Sequence, residues 1–178
     1  MQRQDAAGSS VLVWDRVQRL LHWSLVAAVA VAWLKGEAAL DTHIVAGYVA
    51  LAIVALRLVW GWIGSRHARF SSFVLGVGPT LSYARDLVAR RSRRYLGHNP
   101  LGGWMIIAMV VCLLVCCASG IAYTTDRFWG LAWVEAVHRI SAWTLLVLIG
   151  CHVLGVLVMS WQHGENLVGA MLTGRKRG

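Results

Sequence analysis

The chain has 178 residues, of which 58% are hydrophobic and only 14% charged, with ten tryptophans. That balance excludes an ordinary soluble domain and places the chain in a bilayer. The net charge of +9 fits attraction to anionic lipid headgroups and does not call for nucleic acid. Two prolines and the lack of any low-complexity tract leave a single domain, residues 1–178. Cys112, Cys116, Cys117 and Cys151 all fall in apolar runs without C-x-x-C spacing. They read as small buried apolar residues, not as a disulfide framework or a zinc site.

Four apolar stretches can cross about 30 Å of hydrocarbon, which takes about 20 residues: roughly 17–34, 43–63, 101–123 and 137–161. The first resembles a signal peptide in composition, but it carries His22 and Trp23 and is kept as a span. Between the second and third lies a basic loop, 64–100, with Arg66, Arg69, Arg85, Arg90, Arg91, Arg93 and Arg94. Within it, 80–94 is expected to form an amphipathic surface helix, with Leu81, Leu87 and Val88 apolar and Arg85, Arg90, Arg91 and Arg94 polar. Gly97-His98-Asn99-Pro100 is turn chemistry leading into the third span.

Arg3 and Arg16 precede the first span, Arg19 stands at its start, and Arg175, Lys176 and Arg177 close the chain. The other two connections hold only Lys35 and Arg127, with Arg139 at the mouth of the fourth span. The positive-inside rule therefore puts both termini in the cytoplasm. Trp60, Trp62, Trp129, Trp133 and Trp161 cluster at span ends as an aromatic belt.

His138 and His152 stand fourteen residues apart in the fourth span. At about 1.5 Å and about 100° per residue they are roughly 21 Å apart on nearly one helix face. The alternating topology puts His22 at the depth of His152, towards the cytoplasm, and His43 at the depth of His138, towards the outside. Imidazoles in hydrocarbon are expensive unless they serve a purpose, and an iron porphyrin clamped between facing helices would occupy each pair. The expectation is an all-α integral membrane four-helix bundle carrying two b-type haems, each bis-histidine and low spin. The plainer reading of any one of these histidines is an interhelical hydrogen bond. His67, His98 and His163 lie in polar segments and read as solvated or interfacial, with a quinone or proton role as the alternative.

Arg57 follows His43 by fourteen residues and so shares its face at the depth of the inner pair. It reads either as a partner for a haem propionate or as a side chain snorkelling to the headgroups. Gly47 and Gly120 would let a flat macrocycle approach the backbone, although a small-residue helix contact explains them equally. Arg16, Arg19, His163, Glu165 and Asn166 converge on the cytoplasmic interface, where they could serve quinone exchange or anchor an interfacial C-terminal helix.

Val13-Trp14-Asp15-Arg16 with Arg19 and Leu21-His22-Trp23, His43 with Gly47-Tyr48, and Arg57-Leu58-Val59-Trp60-Gly61 form the first part of a recognisable pattern. It continues through Tyr95-Leu96-Gly97-His98-Asn99-Pro100-Leu101-Gly102-Gly103, then His138, His152 and Gly164-Glu165-Asn166-Leu167. This pattern resembles the prokaryotic cytochrome b561 family, which includes the b-type cytochrome subunits of nickel-iron hydrogenase and formate dehydrogenase. The resemblance covers nearly the whole chain. It implies a multi-pass protein of the bacterial plasma (inner) membrane, with haem ligands at His22, His43, His138 and His152. The implied role is passing electrons between a periplasmic redox protein, such as cytochrome c or a dehydrogenase or hydrogenase subunit, and the quinone pool of a respiratory chain. An alternative known within the family is a superoxide oxidase reducing ubiquinone. In the outward connections Lys35, Arg127 and Arg139 face Glu37, Asp41, Asp126 and Glu135. Steering of superoxide would need a positive funnel, so a basic protein partner is favoured over the anion. A haem-free anchor or a transporter is the remaining reading.

Overall fold

The structure, a computed structural model, describes residues 10–178; Arg3, counted above among the cytoplasmic cations, lies outside them. Helix α1 spans Arg16–Lys35. Asp15 caps it by accepting a hydrogen bond from Gln18 N at 2.8 Å, satisfying one orphan donor of the first turn. It stops at Gly36, whose φ of 37° favours glycine. A 3-10 turn, Gly36–Ala39, leads directly into α2, Leu40–Ile63, which starts earlier than expected.

The loop that follows contains α3, Val77–Val88, not a helix over 80–94. Arg90 takes φ 54°, and its guanidinium lies 5.6 Å from the centroid of the Trp161 ring. Arg94 is drawn instead to Glu165, at 2.9 Å. With no acidic side chain among 89–94 to offset four arginines, each finds a tertiary partner or solvent rather than a place on a helix face. Val77, Leu81 and Val88 stay exposed on α3 while Tyr83 is buried. The next helix, α4, spans Pro100–Tyr123. Asn99 caps it by accepting from Gly102 N at 2.7 Å, and Pro100 occupies a first-turn position where no N–H is needed.

Helix α5, Ala132–His163, has 32 residues, or about 48 Å at 1.5 Å per residue. It outruns the hydrocarbon, which is why the apolar window 137–161 understated it. Glu135 in its first turn and His163 in its last suit the helix dipole. The chain turns at Gly164, in the left-handed region, into a short α6, Leu167–Thr173, capped by Asn166. It ends as strand β2, Arg175–Arg177, paired antiparallel with β1, Ser10–Leu12, with Val11 opposite Lys176. This clasp is an addition to the expected all-α bundle. It puts both described ends of the chain on one face of the bundle, called here the terminal face.

Four helices, α1, α2, α4 and α5, are long and apolar enough to cross a membrane. Helix α1 packs on α2, α2 on α4, and α4 on α5. Along their length α1 and α5 are not packed in the same way; Trp33 and Trp143 bridge them, with ring centroids 4.9 Å apart. The apolar centre gathers Val54, Leu113, Cys117 and Leu145, with Leu25, Leu51, Met109 and Ile149 against them. Trp62, Ile63, Ile140, Val147, Leu154 and Trp161 point outwards and exposed, as lipid-facing side chains do. All four thiols are free, and Cys151 is exposed rather than buried.

Candidate functional site

The structure brings the four span histidines together as two pairs. On the face opposite the termini, His43 in the first turn of α2 meets His138 of α5, with ring centroids 5.9 Å apart and planes at 81°. His43 Nδ1 lies 2.8 Å from the carbonyl oxygen of Ala32. His138 Nδ1 lies 2.9 Å from that of Cys116. A carbonyl can only accept, so each Nδ1 carries the proton and each Nε2 is left with a free lone pair. This arrangement fixes the tautomer and ring orientation that a metal-binding histidine requires.

Both carbonyls are available for structural reasons. Ala32 sits in the last turn of α1, where its carbonyl accepts from Gly36 N of the C-cap and has a second lone pair for the imidazole. Cys116 lies one turn before Gly120, and a Cβ on that glycine would sit 3.0 Å from His138 Cε1. Gly120 therefore makes room for the imidazole itself. Gly47, one turn after His43, has open space where its Cβ would project. The Cys116 thiol lies 3.8 Å from His138 Nδ1, and the Cys112 thiol donates to Ser141 O at 3.2 Å, so α4 is keyed to α5 around this pair.

Towards the terminal face, His22 of α1 is close enough to His152 of α5 for their charges to interact. Trp23 flanks His22 edge to face, with centroids 5.1 Å apart, and donates to Met171 O of α6 at 3.3 Å. No carbonyl anchor is found for either ring among the described residues. The surroundings differ instead in polarity. Gln18, one turn before His22, is buried with its Oε1 unpartnered. Arg57 is 6% exposed. Its Nη2 donates to Ala68 O at 3.0 Å, its guanidinium lies 5.0 Å from the Phe70 ring centroid, and its Nη1 is buried without a partner. The side chain is enclosed by protein and does not snorkel.

His98, read from the sequence as solvated or interfacial, is not. Its ring is wedged between Trp14 and Phe73, at centroid distances of 4.6 and 4.8 Å, and its Nδ1 is buried without a partner. Burial first, then the charges of Arg57, Lys176, His152 and His22, push it down to about 3. The ring is thus a neutral donor and acceptor. Lys176 of the clasp is also buried, with its ammonium 5.7 Å from the Trp14 ring centroid. The sequence marks His98 only as part of the Gly97-His98-Asn99-Pro100 stretch of the family pattern and does not signal its burial. The loop brings it in by packing back on Trp14.

The five interfacial polar residues do gather on the terminal face, but most hold the tail. Glu165 pairs with Arg94 and accepts from Arg177 N at 3.2 Å. Asn166 caps α6 through Gly169 N at 2.7 Å. The His163 carbonyl accepts from Arg177 Nη2 at 2.9 Å, and Arg19 Nη1 donates to Leu172 O. Arg16 is exposed.

Each histidine pair offers only two donors, and among the described residues no three histidine, cysteine, aspartate or glutamate side chains converge. Two donors are too few for a metal held by protein alone. They suit one that brings its own equatorial ligands. A multi-pass helical membrane protein with paired histidines on facing helices is the class defined by this fold. The family comparison makes it specific: residues 13–174 match the model of prokaryotic cytochrome b561, and the chain belongs to that family.

Among relatives, it is 21% identical to a probable Ni/Fe-hydrogenase B-type cytochrome subunit of Bradyrhizobium diazoefficiens, across 94% of this chain and 86% of that protein. It is 20% identical to a protein of the same description from Rhizobium leguminosarum bv. viciae, across 94% and 89%. A third, from Azotobacter vinelandii, is 23% identical across 93% and 88%. No solved structure matches the chain. The protein is a b-type cytochrome of a bacterial membrane, and its work is transmembrane electron transfer.

Proposed function

We propose that the chain binds two b haems, one between His22 and His152 and one between His43 and His138. In this reading it carries electrons between a periplasmic redox protein and the quinone pool of the plasma membrane, with both termini in the cytoplasm. The observation that carries it is the pair of backbone carbonyls that hold His43 and His138 by Nδ1 and leave both Nε2 atoms free. In the same reading Gly47 and Gly120 serve that site, and the buried Arg57 is assigned to the other. When bound, haem iron supplies one-electron chemistry without an open coordination site. The protein orients the imidazoles and excludes water. By its helical rise it spaces the two sites roughly 21 Å apart.

The periplasmic partner is a cytochrome c or a dehydrogenase or hydrogenase subunit. Support for the last comes from relatives described as hydrogenase cytochrome subunits. Superoxide oxidation is less well supported, because Arg139 on the opposite face is matched by Glu135 at 3.6 Å, which weakens any positive funnel. Quinone exchange belongs to the terminal face beside His22 and His152. With Glu165, Asn166 and Arg19 engaged in anchoring the tail, Arg16 and the His163 side chain are the remaining polar contacts for it.

The test is the double variant His22→Ala with His138→Ala, which takes one ligand from each proposed pair. Neither haem should then be a normal low-spin bis-histidine centre. Retention of one such centre in the spectrum of the purified protein would show the pairing to be wrong.

A further inference from the structure

We propose that His98 is a hydrogen-bond donor to a haem carboxylate at the His22 and His152 site, acting beside Arg57. The inference rests on the haem reading of that pair and adds to it a residue of the loop before α4. It begins with an unbalanced charge. Arg57 is buried, and its two contacts are a carbonyl oxygen and an aromatic ring. Neither neutralises a guanidinium, and among the described residues no carboxylate lies within salt-bridge reach of it. Asp15, whose charge does interact with Arg57, already accepts from Gln18 N, Trp60 Nε1 and Ser65 Oγ. A buried cation left in this state is strongly unfavourable, so the site calls for an anion.

His98 supplies the second half of the argument. Its Nδ1 is buried and unpartnered, and the charge interactions that reach it come from Arg57, Lys176, His152 and His22. The ring cannot swing away to find an acceptor, because Trp14 and Phe73, both almost wholly buried, hold it on two sides. A ring nitrogen held without a partner, within reach of the charges of Arg57, His152 and His22, fits a carboxylate when it carries the proton. A haem brings such carboxylates with it. A quinone offers only neutral carbonyl oxygens, which would satisfy the imidazole and leave the guanidinium unbalanced.

Purified holoprotein of His98→Phe and His98→Gln tests this by redox titration and by redox-difference infrared spectroscopy with haem labelled with carbon-13 at its propionate carboxyls. His98→Phe should lower one of the two midpoint potentials and shift the propionate band of that haem, leaving the other haem unmoved. His98→Gln, which retains a donor, should restore part of both. If His98→Phe loses haem, His98→Gln decides alone: a shifted propionate band supports the proposal and an unchanged one overturns it. Unchanged potentials and bands in His98→Phe would overturn it, and so would slower reoxidation by a quinone analogue with unchanged bands, which would assign His98 to quinone. Failure of the underlying reading looks different: His22→Ala would then keep both haems whatever happens at position 98.

Discussion

The two histidine pairs solve the problem of a buried imidazole in different ways. Opposite the termini, the backbone does the work: carbonyls of Ala32 and Cys116 hold His43 and His138, and the neighbours are thiols, a serine and a glycine. Near the termini, His22 and His152 lack such anchors among the described residues but sit among Gln18, Arg57 and His98, each with a buried polar atom lacking a partner. With haem bound as proposed, the first site would be tuned through the ligands, because a carbonyl on Nδ1–H raises imidazole basicity and favours the oxidised metal. The second would be tuned through charge, because a nearby cation favours the added electron. The difference predicts a lower potential opposite the termini and a higher one beside them, which makes transfer towards the terminal face downhill.

Removing a ligand breaks the comparison outright. His43→Ala or His138→Ala should abolish one haem and leave the other, read as half the haem content with a surviving low-spin spectrum. The survivor should be the higher-potential centre, and loss of the higher-potential haem instead would invert the assignment. A subtler break is Gly120→Val. Its Cβ would meet His138 at 3.0 Å, and overpacking of this kind costs about 1–3 kcal/mol. The variant should disturb only the lower-potential haem, by incomplete loading or a raised potential as the Cys116 carbonyl bond is lost. Equal effects on both haems would contradict the separation of the sites.

The contrast also marks what the sequence could reveal. The spans and the depth matching of the histidines were legible because hydrocarbon imposes long apolar runs and helical rise turns spacing into position. The ends of α5 were not, since Glu135 and His163 are polar where the helix leaves the hydrocarbon. The carbonyl anchors leave no trace in side-chain identity; Gly47 and Gly120 hinted at a close approach, and at Gly120 the neighbour is the His138 imidazole. His98 looked like a solvated residue in a basic loop because its burial comes from Trp14 and Phe73, distant in sequence. The clasp escaped for the same reason: three-residue strands exist only by pairing across the chain, and Arg175–Arg177 has no strand signal of its own.

Arg57 allows the charge-tuned site to be sharpened. Arg57→Leu leaves a haem carboxylate less compensated, so the potential of the His22 and His152 haem should fall, on the order of 60 mV for a tenfold change in a one-electron equilibrium. The other haem, roughly 21 Å away by helical rise, should move far less. Redox titration reads both at once, and equal potentials in variant and parent would reject the role.

The smallest expected effect concerns the clasp that closes only the terminal face. Glu165 is held below its ordinary range: burial alone would raise it, but the hydrogen bond from Arg94 and the charges of Lys176 and Arg94 outweigh that. A carboxylate with a lowered folded value contributes stability that is fully present above its ordinary value near 4.5 and is lost as pH falls through the folded one. Acidification below about pH 4.5 should therefore loosen Arg175–Arg177 from Ser10–Leu12, seen as faster amide exchange in both strands, while α4 and α5 around His138 stay protected. Arg94 is 30% exposed, so solvent screening keeps the effect modest. Glu165→Gln should give the loosened exchange already at neutral pH and flatten its pH dependence. A clasp equally protected in variant and parent across that range would mean that the strand pairing, and not the ion pair, holds the tail.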